Sequence, residues 1–425
     1  ANRHGGNAKA VHGPEIGIRG SSHLLFAEKN CFEVSGELET RFIGSIRTSI
    51  PMKRSERSQN DVCSYLRLQG DRRGAFHGFC RQRLRHEARH RFVYSWLGVA
   101  AGGTVVEAKT AYDPYHPQAQ GQTLHGDHAF VTYQVPEHRR ALGLVMLHGA
   151  GQFSKTWDTT PDGRDGYRNL FLEKGYPVYL VDQPRRGDAG RSTVPGEISA
   201  EPDEGFWFGQ FRMGLWPKFN DGSQFPQDDA SMDQFFRQMT PNTAPYDAKV
   251  NAEALVKVFE KTGDAVFLTH SQGCGVGWLV GMKSDRVKGI AAYEPGSGFP
   301  FPKGEAPAPI ANNSFFGDLK ADEVPLEDFL KLTKFPIVIY YGDFIPKADE
   351  VTKHPHNDYW RAAAMMADAF VKAVNRHGGD AWVVHLPDLG IRGNSHFPFA
   401  EKNNVEVAGA LEAWLKEKRL DAFAK

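Results

Sequence analysis

Residues 265–283 leave little freedom in what the chain builds around them. The apolar run Val266-Phe267-Leu268 continues through Thr269 and His270, then breaks at Ser271-Gln272-Gly273. Small residues follow in Cys274-Gly275-Val276-Gly277-Trp278-Leu279-Val280. A short apolar run of this kind reads as a buried strand. Ala265–His270 is therefore expected as a strand and Gln272–Lys283 as the helix leaving it, with Ser271 at the sharp turn between them. Such a turn lifts one hydroxyl above a sheet and aims the next N–H, here that of Gln272, at a developing oxyanion. Glycine usually stands two residues before the serine, because the turn is crowded. Thr269 stands there instead, so its neighbours must supply room.

The rest of the body repeats the same alternation. His128–Val135 and Ala141–His148 read as two adjacent strands, Tyr167–Lys174 as a short helix and Pro177–Asp182 as a buried strand. Asp247–Thr262 places Val250, Ala254, Leu255 and Val258 at helical spacing. Val287–Tyr293, Pro336–Tyr341 and Ala381–His385 read as strands, Tyr359–Arg376 and Asn403–Lys418 as helices. Strands alternating with helices favour a mostly parallel central sheet covered on both faces, an α/β class. Two long stretches interrupt the pattern. Residues 183–246 carry Phe206, Trp207, Phe208, Phe211 and Trp216 and read as a cap-like insertion; residues 295–335 are rich in Pro, Gly and Ala.

The first 98 residues look different. Shifted by 373, residues 2–40 fall on 375–413 with 25 of 39 positions identical, so 1–40 duplicates 374–413. Two copies at the far ends do not make a solenoid, which needs three or more stacked repeats. Residues 41–98 hold 13 basic residues, 12 of them arginine, against 4 acidic ones, and show no periodicity. Such a segment is expected to stay disordered. The expected organisation is a non-catalytic extension over 1–98 and a catalytic domain over 99–425. The alternative is a folded N-terminal domain built on the duplicated unit. His23, the copy of His396, has no serine partner of its own, so no second active site is expected.

Composition removes several function classes. At 425 residues with 40% hydrophobic content, the chain suits one large domain plus an appendage. No stretch approaches the roughly 18–20 apolar residues of a membrane span. The basic excess of residues 41–98 is balanced by a mildly acidic body, which argues against nucleic acid as a partner. Cys31, Cys63, Cys80 and Cys274 form neither a disulfide framework nor a zinc spacing, and no metal is expected. Arg89–Arg91 followed by Phe92–Ala101 faintly resembles a signal peptide, but its apolar part is short. A cytoplasmic location is favoured, with secretion or a periplasmic location left open.

Four features fall where nucleophilic acyl chemistry needs them. Ser271 requires a base to remove its proton. His396 follows the last strand of the body and precedes the last helix, so it can reach back over the sheet. The turn His148-Gly149-Ala150-Gly151 leaves an early strand, where the second oxyanion donor is expected from the Ala150 N–H. Two acids compete to orient the imidazole: Glu294 after Val287–Tyr293 and Asp343 after the next strand, both at the carboxyl edge of the sheet.

On these residues the chain resembles the α/β-hydrolase superfamily over about residues 125–418. It is more closely similar to a small group of atypical bacterial serine esterases. The resemblance is carried by His148-Gly149, Thr160-Pro161-Asp162-Gly163-Arg164, Lys174-Gly175-Tyr176, Val181-Asp182-Gln183, His270-Ser271-Gln272, Glu294-Pro295-Gly296, Tyr341-Gly342-Asp343 and Gly393-Asn394-Ser395-His396. It implies a Ser-Glu-His triad whose acid follows the strand after the nucleophile's helix, favouring Glu294 over Asp343. The chain departs from that group at Thr269, where members have glycine, and at Ala150-Gly151, where they have paired cysteines.

The resulting expectation is a cofactor-free carboxylic ester hydrolase. Ser271 attacks, His396 moves the proton, Glu294 steadies the imidazolium, and the Ala150 and Gln272 N–H groups bind the oxyanion. Trp207, Phe208 and Phe211 would line a pocket for the apolar or aromatic part of a small ester, and a homodimer is left open. An amidase, lactonase or acyltransferase would use the same residues. A non-catalytic binding protein of the same fold and a nucleic-acid role for residues 41–98 are the rivals from other classes.

Overall fold

A computed structural model describes residues 92–424, with side chains from residue 98 onward. Expectations about residues 1–91, including the duplicated segment and most of the arginine-rich stretch, lie outside the described residues. Eight strands make the main sheet: β1 (Phe92–Ala101), β2 (Ala129–Pro136), β3 (Gly143–Leu147), β4 (Val178–Asp182), β5 (Ala265–His270), β6 (Val287–Tyr293), β7 (Ile337–Tyr341) and β8 (Ala381–His385). Their order is β1-β2-β4-β3-β5-β6-β7-β8. Only the pairings β1–β2 and β2–β4 are antiparallel; the rest of the sheet is parallel.

Two expectations need correction. The strands on either side of residue 137 are not neighbours, because β4 lies between them. A strand–helix–strand unit returns its second strand parallel beside the first, and here β4 comes back on the side β2 would have taken. The strand β1 also runs across the expected boundary at residue 99 and pairs with β2 from Phe92 onward. Its basic flank, Arg89 to Arg91, hid it in the sequence.

The parallel strands are apolar on both faces, so they read as continuous hydrophobic runs. Val145, Leu147, Phe267, Ile290 and Ile339 face one cluster, packed by α4 (Ala248–Thr262), α5 (Gln272–Lys283) and α6 (Pro355–Arg376). Leu144, Met146, Val266, Leu268, Ala291 and Val338 face the other, packed by α1 (Tyr167–Leu172) and α7 (Asn404–Glu417). Adjacent residues of one strand alternate between the clusters, the period-two rule of a pleated chain. The 183–246 insertion holds α2 (Glu204–Gln210) and α3 (Asp229–Gln238), and its Phe208, Phe211, Phe225 and Phe235 join the second cluster. The insertion is thus part of the core as well as a cover. Ser271, Glu294, Asp343 and the loop ending at His396 follow β5, β6, β7 and β8, so all four leave the same carboxyl edge.

Candidate active site

Ser271 has φ 53° and ψ −122°, a backbone state that side chains rarely adopt. Such a conformation costs about 1–3 kcal/mol and persists only where the surroundings hold it. Its N–H donates to the Tyr293 carbonyl of β6 at 2.9 Å, its own carbonyl accepts the Cys274 N–H, and its hydroxyl takes no part in capping α5. Glycines let other segments close around the turn. A Cβ on Gly149 would lie 2.7 Å from the Ser271 Cβ, and one on Gly273 would lie 2.5 Å from the His148 carbonyl oxygen. Room for Thr269 comes from α5. The Thr269 Cγ2 lies 2.8 Å from where a Cβ on Gly277 would stand, and its hydroxyl donates to the Cys274 Sγ at 3.3 Å.

The His-Gly turn passes directly against the serine. The Gly149 carbonyl accepts Arg186 Nη1 at 2.7 Å. In a trans peptide the N–H of the next residue points opposite the carbonyl, so this contact also fixes the direction of the Ala150 N–H. Arg186 further reaches Asn242, and the Gln272 side chain at 3.5 Å. Burial lowers the Arg186 guanidinium to about 10. The His148 Nε2 accepts the Gln183 N–H, leaving its Nδ1 to donate to the Gly149 carbonyl; burial depresses this imidazole to about 3, so it is neutral.

His396 is fully buried. Its Nδ1 stands 3.5 Å from Glu294 Oε2, its N–H donates to the Phe211 carbonyl, and its carbonyl accepts His270 Nε2 at 2.9 Å. Phe211 lies nearly parallel to its ring at 5.3 Å, with Trp360 and His270 each at 4.5 Å. His270, the chain neighbour of Ser271, thus bridges the serine turn and the imidazole loop. Neither ring nitrogen of His396 has a hydrogen-bond partner among the described residues, so serine and imidazole stand unbonded in this state. Catalytic contacts are often long before substrate binds. Burial, and then the Arg212 charge, hold the imidazole well below its ordinary value, so it is a neutral base.

Of the two candidate acids, only Glu294 meets the imidazole. It too has a positive φ, 56°, and is fully buried. Its Oε1 accepts the Gly342 N–H at 2.6 Å, and Arg212 Nη2 lies 2.9 Å from both carboxylate oxygens. Burial raises this carboxyl, opposed by Arg212 and the Gly342 N–H. Asp343 instead braces loops, accepting the Gly393 and Phe344 N–H groups. The imidazole loop has a further support in Glu401, which accepts the Ser395 N–H and hydroxyl and the Asn394 amide. Burial raises Glu401 to about 7. Arg164 of the Asp-Gly-Arg stretch donates to the Glu401 carbonyl and the Asn404 side chain, tying the same loop down from the other side.

The aromatic insertion separates into two groups. Trp207 stacks at 5.0 Å on Phe211, four residues further on, and Phe211 in turn lies against the His396 ring. Phe208, expected with them, turns to the other side, since successive helical residues point about 100° apart. It packs on Trp216 and Phe219 and lines a separate cavity of about 500 Å³ that touches neither Ser271 nor His396. Arg212, Arg186 and Glu401 escaped the sequence reading. For Arg212 a signal existed: it is the one charge in the apolar run Phe206–Trp216, and a charge in such a run must find a partner. No cluster of metal-ligating side chains exists among the described residues.

Comparison with known proteins agrees with this frame. Residues 144–410 match the model of the Alpha/beta hydrolase family. The "Probable secreted lipase phiG" of Fungal sp. (strain ATCC 74256) is 29% identical over 323 residues, covering 68% of this chain and 85% of that protein. Among solved structures, a novel bacterial esterase determined at atomic resolution superposes with a TM-score of 0.61. The match covers 77% of this chain and 97% of that one at 24% identity, a likeness of fold.

Proposed function

The chain belongs to the alpha/beta hydrolase family, and on that premise we propose that it is a serine carboxylic ester hydrolase with Ser271, His396 and Glu294 as its triad. The observation that carries this reading is the pairing of two held backbones: Ser271 on the strand-to-helix turn, and Glu294 facing His396 Nδ1 at 3.5 Å. His396 then presents Nε2 as the base. It takes the Ser271 proton as Oγ attacks the ester carbonyl, while Glu294 stabilises the imidazolium. The N–H groups of Gln272 and Ala150 receive the oxyanion; Arg186 supports this through its grip on the Gly149 carbonyl. The imidazolium protonates the departing alcohol, and a water activated by the same nitrogen releases the acid. No step needs a cofactor.

The Ser-Glu-His order, with the acid one strand earlier than Asp343, aligns the chain with the atypical bacterial serine esterases it resembles. The fungal relative is named a lipase, which makes acyl-chain length the first substrate variable to vary. Amides, lactones and acyl acceptors belong on the same panel. The deciding experiment is hydrolysis of a chromogenic ester by Ser271→Ala. Removal of the nucleophile should cost several orders of magnitude in kcat, whereas loss of one oxyanion donor costs about 10²–10³-fold. A Ser271→Ala enzyme with undiminished turnover would end this reading.

A further inference from the structure

Arg212 does more in this site than any residue outside the triad, and it comes from the insertion rather than from the sheet. Its side chain, like that of Glu294, is fully buried. One nitrogen, Nη2, lies 2.9 Å from both oxygens of Glu294 and donates to the Ser395 carbonyl at 3.4 Å; Nε donates to the Asp343 carbonyl at 3.2 Å. The guanidinium carbon stands 4.9 Å from the Trp360 ring centre. One side chain therefore touches the loops after β6, β7 and β8 at once. The preceding residue adds a grip by backbone, since the Phe211 carbonyl accepts the His396 N–H at 3.0 Å. Arg212 itself has φ 54°, and its carbonyl is held by the Asn220 side chain. Trp360 Nε1 ties the neighbouring Gln210 carbonyl to α6 at 2.7 Å.

The distances decide the consequence. Arg212 is nearer to the carboxylate, at 2.9 Å, than His396 is, at 3.5 Å. Two cations would thus share one acid whenever the imidazole is protonated. Without a counter-charge, a carboxyl this deeply buried tends to take up a proton and stop orienting the imidazole. The other groups facing this pair cannot replace the arginine. His270 is held neutral by burial, and Tyr341 and Cys274 are buried with their protons retained. Glu401 and Asp343 are carboxyls engaged by the loops they brace.

We propose that Arg212 is a positioning residue through which the insertion keeps Glu294 ionised and sets the pH range in which His396 acts as base. The proposal rests on the triad reading above. Its test is the pH dependence of kcat/KM on a chromogenic ester for wild type, Arg212→Lys and Arg212→Gln. Fluorophosphonate labelling of the serine is followed in parallel. Loss of the charge both raises the proton affinity of Glu294 and removes the repulsion on the imidazolium, and both effects have the same sign. The acidic limb of Arg212→Gln should move up by about one pH unit or more. Arg212→Lys should keep a limb near that of wild type while kcat falls, because the ammonium retains the charge and loses the fork.

An unmoved limb in a folded, labelled Arg212→Gln overturns the proposal, as does Arg212→Lys behaving like Arg212→Gln. Should the glutamine variant fail to fold, the lysine variant decides alone: a displaced limb, or an unchanged kcat, overturns it. The two readings fail separately. Wild type that resists labelling removes the triad and this role together, whereas normal labelling with an unmoved limb removes only this role.

Discussion

Ser271, Glu294 and Arg212 share a property that no composition reveals: each is a non-glycine residue with positive φ, and two of them, Glu294 and Arg212, pair with each other beside the His396 imidazole. Positive φ at a side-chain-bearing residue is maintained only by its surroundings, so this clustering marks where the fold stores strain. The crowding at Thr269 has a local solution. Sequence alone says that threonine in place of the usual glycine must find room; the structure locates that room at Gly277, six residues past the serine on α5. Gly277→Ala should then drive a methyl against Thr269 Cγ2 and destabilise the protein by about 1–3 kcal/mol. Thr269→Ser in the same chain, which deletes that methyl and keeps the hydroxyl, should restore much of the loss. Denaturant unfolding of the four proteins in the cycle measures it, and strictly additive effects would mean that the two positions do not compete for space.

At the level of elements, the residues that were legible are those whose burial leaves a pattern. Ala265–His270, Val287–Tyr293 and Ala381–His385 were legible from their apolar residues; the first two lie inside the sheet and are almost wholly buried, whereas Ala381–His385 at its edge leaves Trp382 exposed. The helix Gln272–Lys283 was equally legible from its small residues. What remained hidden depends on partners distant in sequence. The glutamate pairing of Arg212, the Arg186 contact to the His148-Gly149 turn and the Glu401 support for the His396 loop all join separate elements. Phe208 was misplaced for a simpler reason, since an aromatic-rich helix offers two faces and the sequence does not say which one meets the site. The face that does is Trp207 and Phe211. Trp207→Ala should raise KM for esters with a bulky apolar part and leave small acetates nearly unchanged. Equal effects on both substrates, read from steady-state kinetics, would remove the insertion from substrate binding.

Over the whole molecule, the sheet order brings together residues that are far apart in sequence. Ser271 and Glu294 follow neighbouring strands, β5 and β6, and the loop bearing His396 returns from the sheet's far edge to meet Glu294 and His270. The alternation of strands and helices was enough to infer a covered, mostly parallel sheet. It did not reveal that β4 separates β2 from β3, or that the sheet begins at Phe92, because strand pairing is decided by chain connection and not by hydrophobic period. The N-terminal extension remains proposed as non-catalytic, a duplicate of the imidazole loop without a serine to serve. A single experiment reaches all of this at once: treat the full chain with a fluorophosphonate, digest it, and map the adduct by mass spectrometry. One adduct is predicted, on Ser271, absent from Ser271→Ala and formed far more slowly in His396→Ala. An adduct on another serine, or unaltered labelling once His396 is removed, would contradict a hydroxyl activated by that imidazole.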